Sequence, residues 1–130
     1  MGSCAGAIMM SKHIENAHSN VHVKTFAVID ATVNRNGYGR QLESFEIPIE
    51  LRLPNQKPSV INGVFIRAPR WQLIEPQVKE IAVINHGEFA GEVVAIQQNN
   101  LIAVTFHPEL TRALHLHEYF VSLCRQYLAD

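Results

Sequence analysis

A cysteine with glycine two residues away on each side stands near the start of the chain, in Gly2-Ser3-Cys4-Ala5-Gly6. Gly-x-Cys-x-Gly has the form of a nucleophile elbow, a sharp strand-to-helix turn that projects a reactive side chain. Such a turn needs small neighbours, because a side chain two residues away on either side would collide. A helix starting just after Cys4 would add the partial positive charge of its unpaired amides, lowering the thiol pKa toward the reactive thiolate. The Ala5 amide would then face the site as an oxyanion donor. The competing reading is a glycine-rich terminus with no chemistry.

A second group lies far away in sequence, in Phe106-His107-Pro108-Glu109-Leu110. Side chains two apart on an extended chain project the same way, so the Glu109 carboxylate can reach the His107 ring. Pro108 fixes its own φ and biases His107 toward extended backbone, holding that relation. A carboxylate on one ring nitrogen sets the tautomer and aims the other nitrogen at a nucleophile. Taken alone, His-Pro-Glu also reads as a polar turn with its histidine satisfied locally.

The elements that must carry these groups follow from periodicity. Small residues, Gly2 to Gly6, run into an apolar stretch that opens Ala7-Ile8-Met9-Met10, which predicts a turn feeding a helix that extends to Ala17, and His18-Ser19-Asn20 reads as a loop. Strong β formers predict a strand over Lys24 to Asp30. A polar Gly/Asn-rich loop, Asn34 to Arg40, precedes an alternating strand over Leu42 to Ile49. Pro54 to Pro58 is a surface connection. Further strands are expected at Val60 to Ile66, Ile81 to Asn85, Glu92 to Gln97 and Leu101 to Phe106. Leu116, Phe120, Leu123, Cys124, Tyr127 and Leu128 mark one face of a closing amphipathic helix. Helix, short strands and a closing helix predict an α/β domain whose middle strands are buried.

Composition narrows the function classes. Over 130 residues, 11 Lys+Arg against 12 Asp+Glu leave a formal charge of −1, without the basic excess of a nucleic-acid binder. With 47% hydrophobic residues the chain is too apolar for a disordered tail. No run approaches the roughly 18 apolar residues of a membrane span. Two cysteines make no disulfide framework, so a reducing, cytoplasmic setting is the expectation. The 7 histidines raise the question of a metal site. However, His115 and His117 fall on different faces of a helix and cannot share a tetrahedral site with Cys124 unaided.

The two groups together, Gly-Ser-Cys-Ala-Gly and Phe-His-Pro-Glu-Leu-Thr, resemble the class I, triad-type glutamine amidotransferases. Val33-Asn34-Arg35-Asn36-Gly37-Tyr38-Gly39-Arg40-Gln41-Leu42-Glu43-Ser44-Phe45 and Phe65-Ile66-Arg67-Ala68-Pro69 narrow the likeness. They are similar to segments of the glutaminase subunits of glutamine-dependent pyridoxal 5′-phosphate synthases. The four motifs occur in the family's order between residue 2 and about residue 123. Asn99 stands where that family commonly has glycine, and Arg112 or Ala113 where it has an acidic residue.

The resemblance implies a flavodoxin-like, doubly wound glutamine amidotransferase domain. It implies Cys4 as nucleophile, His107 and Glu109 as its triad partners, and Arg35, Ile66 and Arg67 as glutamine-binding residues. It also implies L-glutamine as substrate, no metal or organic cofactor, and a ring-building synthase subunit as the partner that receives ammonia. Two expectations concern extent. An elbow is held by a strand of typically about 5–6 residues, and only Met1, Gly2 and Ser3 precede Cys4. The family's first strands and helices, with a Gly-Gly-Glu-Ser loop, precede its elbow. Residues 1–130 are therefore expected to be a single, partial domain, N-terminally truncated before the nucleophile strand and poorly active alone. The alternative is a catalytically inactive short form that binds or regulates the synthase.

Overall fold

The computed structural model describes residues 1–15, 23–35, 37–39 and 42–129. Two α-helices, one 3-10 helix and nine strands, the strands arranged in two sheets, occur among these residues. In chain order the strands and α-helices are β1 (Gly2–Ser3), α1 (Ala5–Met10), β2 (Ser11–Glu15), β3 (Ile29–Asn34), β4 (Ser44–Leu51), β5 (Ser59–Ile66), β6 (Arg70–Ile74), β7 (Lys79–Ile84), β8 (Val93–Gln98), β9 (Leu101–Val104) and α2 (His115–Ala129). The larger sheet has the order β1-β9-β8-β7-β4-β5 and the smaller β2-β3-β6. β1–β9 and β2–β3 are the parallel pairs, and the other ladders are antiparallel.

The larger sheet is covered on both faces, as expected of an α/β domain. Ile102 and Val104 of β9 point into a core shared with Phe65, Phe106, Leu116 and Tyr119, which α2 closes. Ala103, between them in sequence, points the other way against Ile96, Ile29 and Ala7 of α1. This alternation is the period-2 pattern of a strand buried on both sides. The two sheets are tied by a polar clamp. Gln98 on β8 accepts from the Asp30 amide of β3 and donates to the Asp30 carboxylate, both at 2.8 Å.

Several expectations need correction. α1 stops at Met10 instead of continuing toward Ala17, and Ser11–Glu15 is a strand. Ser11 donates its hydroxyl to the Ala7 carbonyl, and its amide bonds Ile8. The Met9 and Met10 carbonyls accept from Phe26 and Val28, so nothing remains to extend the helix. Residues 16–22, including the end of the expected helix and the His18-Ser19-Asn20 loop, lie outside the described residues. The strand expected over Lys24–Asp30 instead begins at Ile29, leaving Phe26 72% exposed. β6 has no counterpart in the sequence reading. The apolar face of α2 is buried at Leu116 and Tyr119 and partly at Phe120 and Leu123. It does not extend to Tyr127 and Leu128, which are exposed.

The strand in front of Cys4, β1, is two residues long. Gly2 and Ser3 pair with Ala103 and Val104, and the Cys4 amide donates to the Val104 carbonyl at 2.9 Å. Two rungs and this bond hold the elbow at the end of β1. Asn99, in the β8–β9 turn, has φ 56°. Asparagine is among the few non-glycine residues that enter the left-handed region readily, so the turn forms without glycine.

Candidate active site

Cys4 sits at the junction of β1 and α1 with φ 52° and ψ −107°, a conformation L side chains rarely adopt. The glycine at position 2 is required by space. A Cβ there would lie 2.6 Å from the Met10 sulfur and 2.8 Å from the Gly6 backbone. The expectation for Gly6 is not met, because a Cβ there meets nothing within 4 Å. Only one flank of the elbow is sterically closed.

The Cys4 thiol donates to the Ile66 carbonyl at 3.7 Å, and the His107 amide donates to the Val64 carbonyl at 2.8 Å. β5 and β1 are opposite edges of the larger sheet. These two bonds therefore require the sheet to curl until its edges meet beside the elbow. Val64 and Ile66 are two apart on β5, roughly 7 Å along the strand. One strand end thus gathers the cysteine and the histidine, although they are distant in sequence.

His107 precedes a 3-10 helix, Pro108–Leu110, with Pro108 in its first turn. Proline is suited there because it lacks an N–H that such a turn would leave unpaired. The arrangement swings Glu109 back, and its Oε1 lies 2.6 Å from His107 Nδ1. Nδ1 is thereby committed to the carboxylate, which leaves Nε2 for other chemistry. Partial burial works to raise the Glu109 carboxyl. The hydrogen bond from His107, its own backbone amide and the nearby imidazoles of His107 and His117 outweigh that and hold it below the ordinary carboxylate value.

The thiol behaves differently from expectation. Burial pushes Cys4 above the usual cysteine value and the Glu109 charge adds to this, while the Ala5 amide at the sulfur opposes both. The helix start does not win, because α1 has only six residues and desolvation of a thiolate is the larger effect. In this state the resting group is a thiol.

Arg35, in the turn after β3, and Arg67, just past β5, line one cavity of about 450 Å³ together with Tyr38, Gly39, Leu42, Glu43 and Ala68. Arg67 has φ 45°, and its amide donates to the Glu43 carbonyl. That bond holds a strained residue where the chain leaves the sheet. Ile66 enters differently from the two arginines. Its side chain is 41% exposed, and what it turns to the site is the carbonyl that receives the Cys4 thiol. Tyr38 and Glu43 lie within the Val33–Phe45 motif without a role of their own in it, and Glu92, which accepts from the Tyr38 hydroxyl at 2.9 Å, carries no sequence signal. A hydrogen-bonded tyrosine in an Asn-Gly-Tyr-Gly loop has no sequence signal that names its acceptor. Among the described residues no cluster of metal-ligating side chains occurs, and no helix is long and apolar enough to cross a membrane.

Comparison with known proteins gives the family. Residues 1–126 match the SNO glutamine amidotransferase family. A pyridoxal 5′-phosphate synthase subunit PdxT of Thermococcus onnurineus (strain NA1) is 44% identical over 122 residues, covering 93% of this chain and 57% of the relative. The PdxT of Salinispora tropica (strain ATCC BAA-916 / DSM 44818 / JCM 13857 / NBRC 105044 / CNB-440) is 40% identical over 124 residues, covering 95% and 60%. A crystal structure of a glutamine amidotransferase superposes with a TM-score of 0.78 at 36% identity, covering 94% of this chain and 58% of that one. The chain thus spans less than two thirds of the length of these relatives, and its α/β fold is that of a glutamine amidotransferase. From the elbow to the closing helix, the chain belongs to the SNO glutamine amidotransferase family.

Proposed function

We propose that this chain carries the Cys4-His107-Glu109 triad of a glutaminase that hydrolyses L-glutamine to L-glutamate and ammonia. The observation that carries the reading is the seating of Cys4 and His107 on the Ile66 and Val64 carbonyls of one strand end, with Glu109 already on His107. The PdxT relatives, named as subunits of a pyridoxal 5′-phosphate synthase, support a further step. The ammonia passes to a ring-building synthase subunit that makes pyridoxal 5′-phosphate.

Because Cys4 rests as a thiol, attack requires a base, and His107 takes the proton as sulfur leaves the Ile66 carbonyl. Sulfur bonds to the side-chain carbonyl carbon of glutamine, and the Ala5 amide is one donor to the oxyanion. His107 returns the proton to the nitrogen as the C–N bond breaks and ammonia departs. Water, deprotonated by the same imidazole, then attacks the thioester; as the C–S bond breaks, the imidazole returns that proton to the Cys4 sulfur and glutamate is freed. Arg35 and Arg67 are suited to the α-carboxylate of glutamine through paired charge-assisted hydrogen bonds. A cavity of about 450 Å³ is within the usual range of small-molecule sites, roughly 300–1,000 Å³.

Acid quenching of the protein during turnover, followed by peptide mass spectrometry, tests the covalent step. A glutamyl group on the Cys4 peptide is expected. Rapid turnover with no adduct on Cys4, under conditions where thioester hydrolysis is slowed, would overturn it.

A further inference from the structure

We infer that Arg70 and Glu92 are positioning residues that strap the loop bearing Arg35 in place and so set the affinity for glutamine. Neither lines the 450 Å³ cavity. Arg70 opens β6, opposite Asn34 at the end of β3, and its guanidinium reaches across the turn that follows. Nη1 donates to the Gly37 carbonyl at 3.1 Å, and Nε pairs with Glu92 Oε1. The other oxygen of Glu92 accepts from the Tyr38 hydroxyl at 2.9 Å. One carboxylate therefore joins the guanidinium to a tyrosine that does line the cavity beside Arg35 and Arg67.

The strap is also packed. The guanidinium carbon lies 4.8 Å from the Tyr38 ring centroid and 5.2 Å from that of Phe89. Tyr38 meets Phe45 and Phe89 edge-to-face, each at 5.1 Å. Gly37 fits the same device, because a Cβ there would collide with the Arg70 stem. Glu92 is only 14% exposed, so its two bonds work in a partly dry setting where charge-assisted contacts are stronger. A planar fork with a fixed geometry explains why the residue is arginine: it serves Glu92 and the Gly37 carbonyl at once. Loosening the strap would let Arg35 wander from the cavity without touching the elbow. The expected result is weaker ground-state binding with the chemistry intact.

The inference rests on the proposed glutaminase reading, and the experiment separates the two. Steady-state glutamine hydrolysis is measured for the unaltered protein, with its synthase partner present, and for Arg70→Met and Glu92→Gln. Failure of the unaltered protein to hydrolyse glutamine contradicts the functional reading itself. If it does, the strap predicts about a tenfold rise in KM for each variant with kcat within about twofold. Arg70→Lys, which keeps the charge but not the fork, should recover less than half of that loss. Unchanged KM in Glu92→Gln, which keeps the side-chain shape and so the fold, would overturn the inference. So would a fall in kcat with KM unmoved, the signature of a structural role alone.

Discussion

The Cys4 thiol donates to the Ile66 carbonyl at 3.7 Å, although the two residues sit at opposite edges of the same six-stranded sheet. That single contact marks where the curled sheet brings its edges together. Arg67, the residue after Ile66, lines the cavity that Arg35 also lines. The site is thus a product of sheet curvature as much as of the residues themselves.

The elbow is closed on one flank only, and two glycine substitutions distinguish the flanks. Gly2→Ala forces a Cβ to 2.8 Å from the Gly6 backbone, which cannot give as a flexible side chain would. Loss of glutaminase activity and a destabilisation of about 1–3 kcal/mol are expected from such overpacking. Gly6→Ala meets nothing and replaces glycine inside α1. It should leave activity in place and gain up to about 1 kcal/mol from helix propensity. Urea titrations with parallel activity assays check both, and equal effects at the two positions would contradict the geometry.

The pH dependence of Cys4 follows from its burial. Because burial holds the thiol above the ordinary cysteine value, alkylation by iodoacetamide in a Cys124→Ser background should still be climbing where a free cysteine has levelled off. Glu109→Gln removes a charge that raises the thiol, so the midpoint of the alkylation profile should move down. A plateau reached well below the ordinary cysteine value would show that the helix start, and not burial, governs the thiol.

Glu109 makes a second pH prediction of opposite sign. Its carboxyl is held below the ordinary value by His107 and its own backbone, so the pairing is present above that value. It is lost as pH falls through the depressed one, when the carboxylate takes up a proton. Activity should therefore keep its acid limb, and Glu109→Gln should lower kcat by on the order of 10²–10⁴ through a wrongly oriented imidazole. A pH–rate profile of the two proteins reads this directly. An unchanged kcat would remove Glu109 from the triad.

Much of this was legible in the sequence because the decisive residues are local. The elbow and His-Pro-Glu each fit within five residues, and β5, β7, β8 and β9 carry runs of Val and Ile that leave few alternatives. Arg35 and Arg67 could be named from motifs, and they do line one cavity. Tertiary context decided the rest. α1 ends at Met10 because Phe26 and Val28 claim its last carbonyls, a contact between segments that no local pattern encodes. β6 follows Pro69 directly and alternates over only four residues, Arg70 to Leu73, a run shorter than a typical strand. The elbow motif implies a lowered thiol pKa, whereas burial, which no motif encodes, raises it. The Arg70-Glu92-Tyr38 strap joins three separate stretches and carries no motif of its own.

The central claim is that Cys4 is the nucleophile of a glutaminase. Its most direct test is glutamate release from L-glutamine by the unaltered protein and by Cys4→Ala, each with the synthase subunit present. The account predicts that Cys4→Ala releases no glutamate above background while still binding the synthase. Glutamate release retained in Cys4→Ala would contradict it.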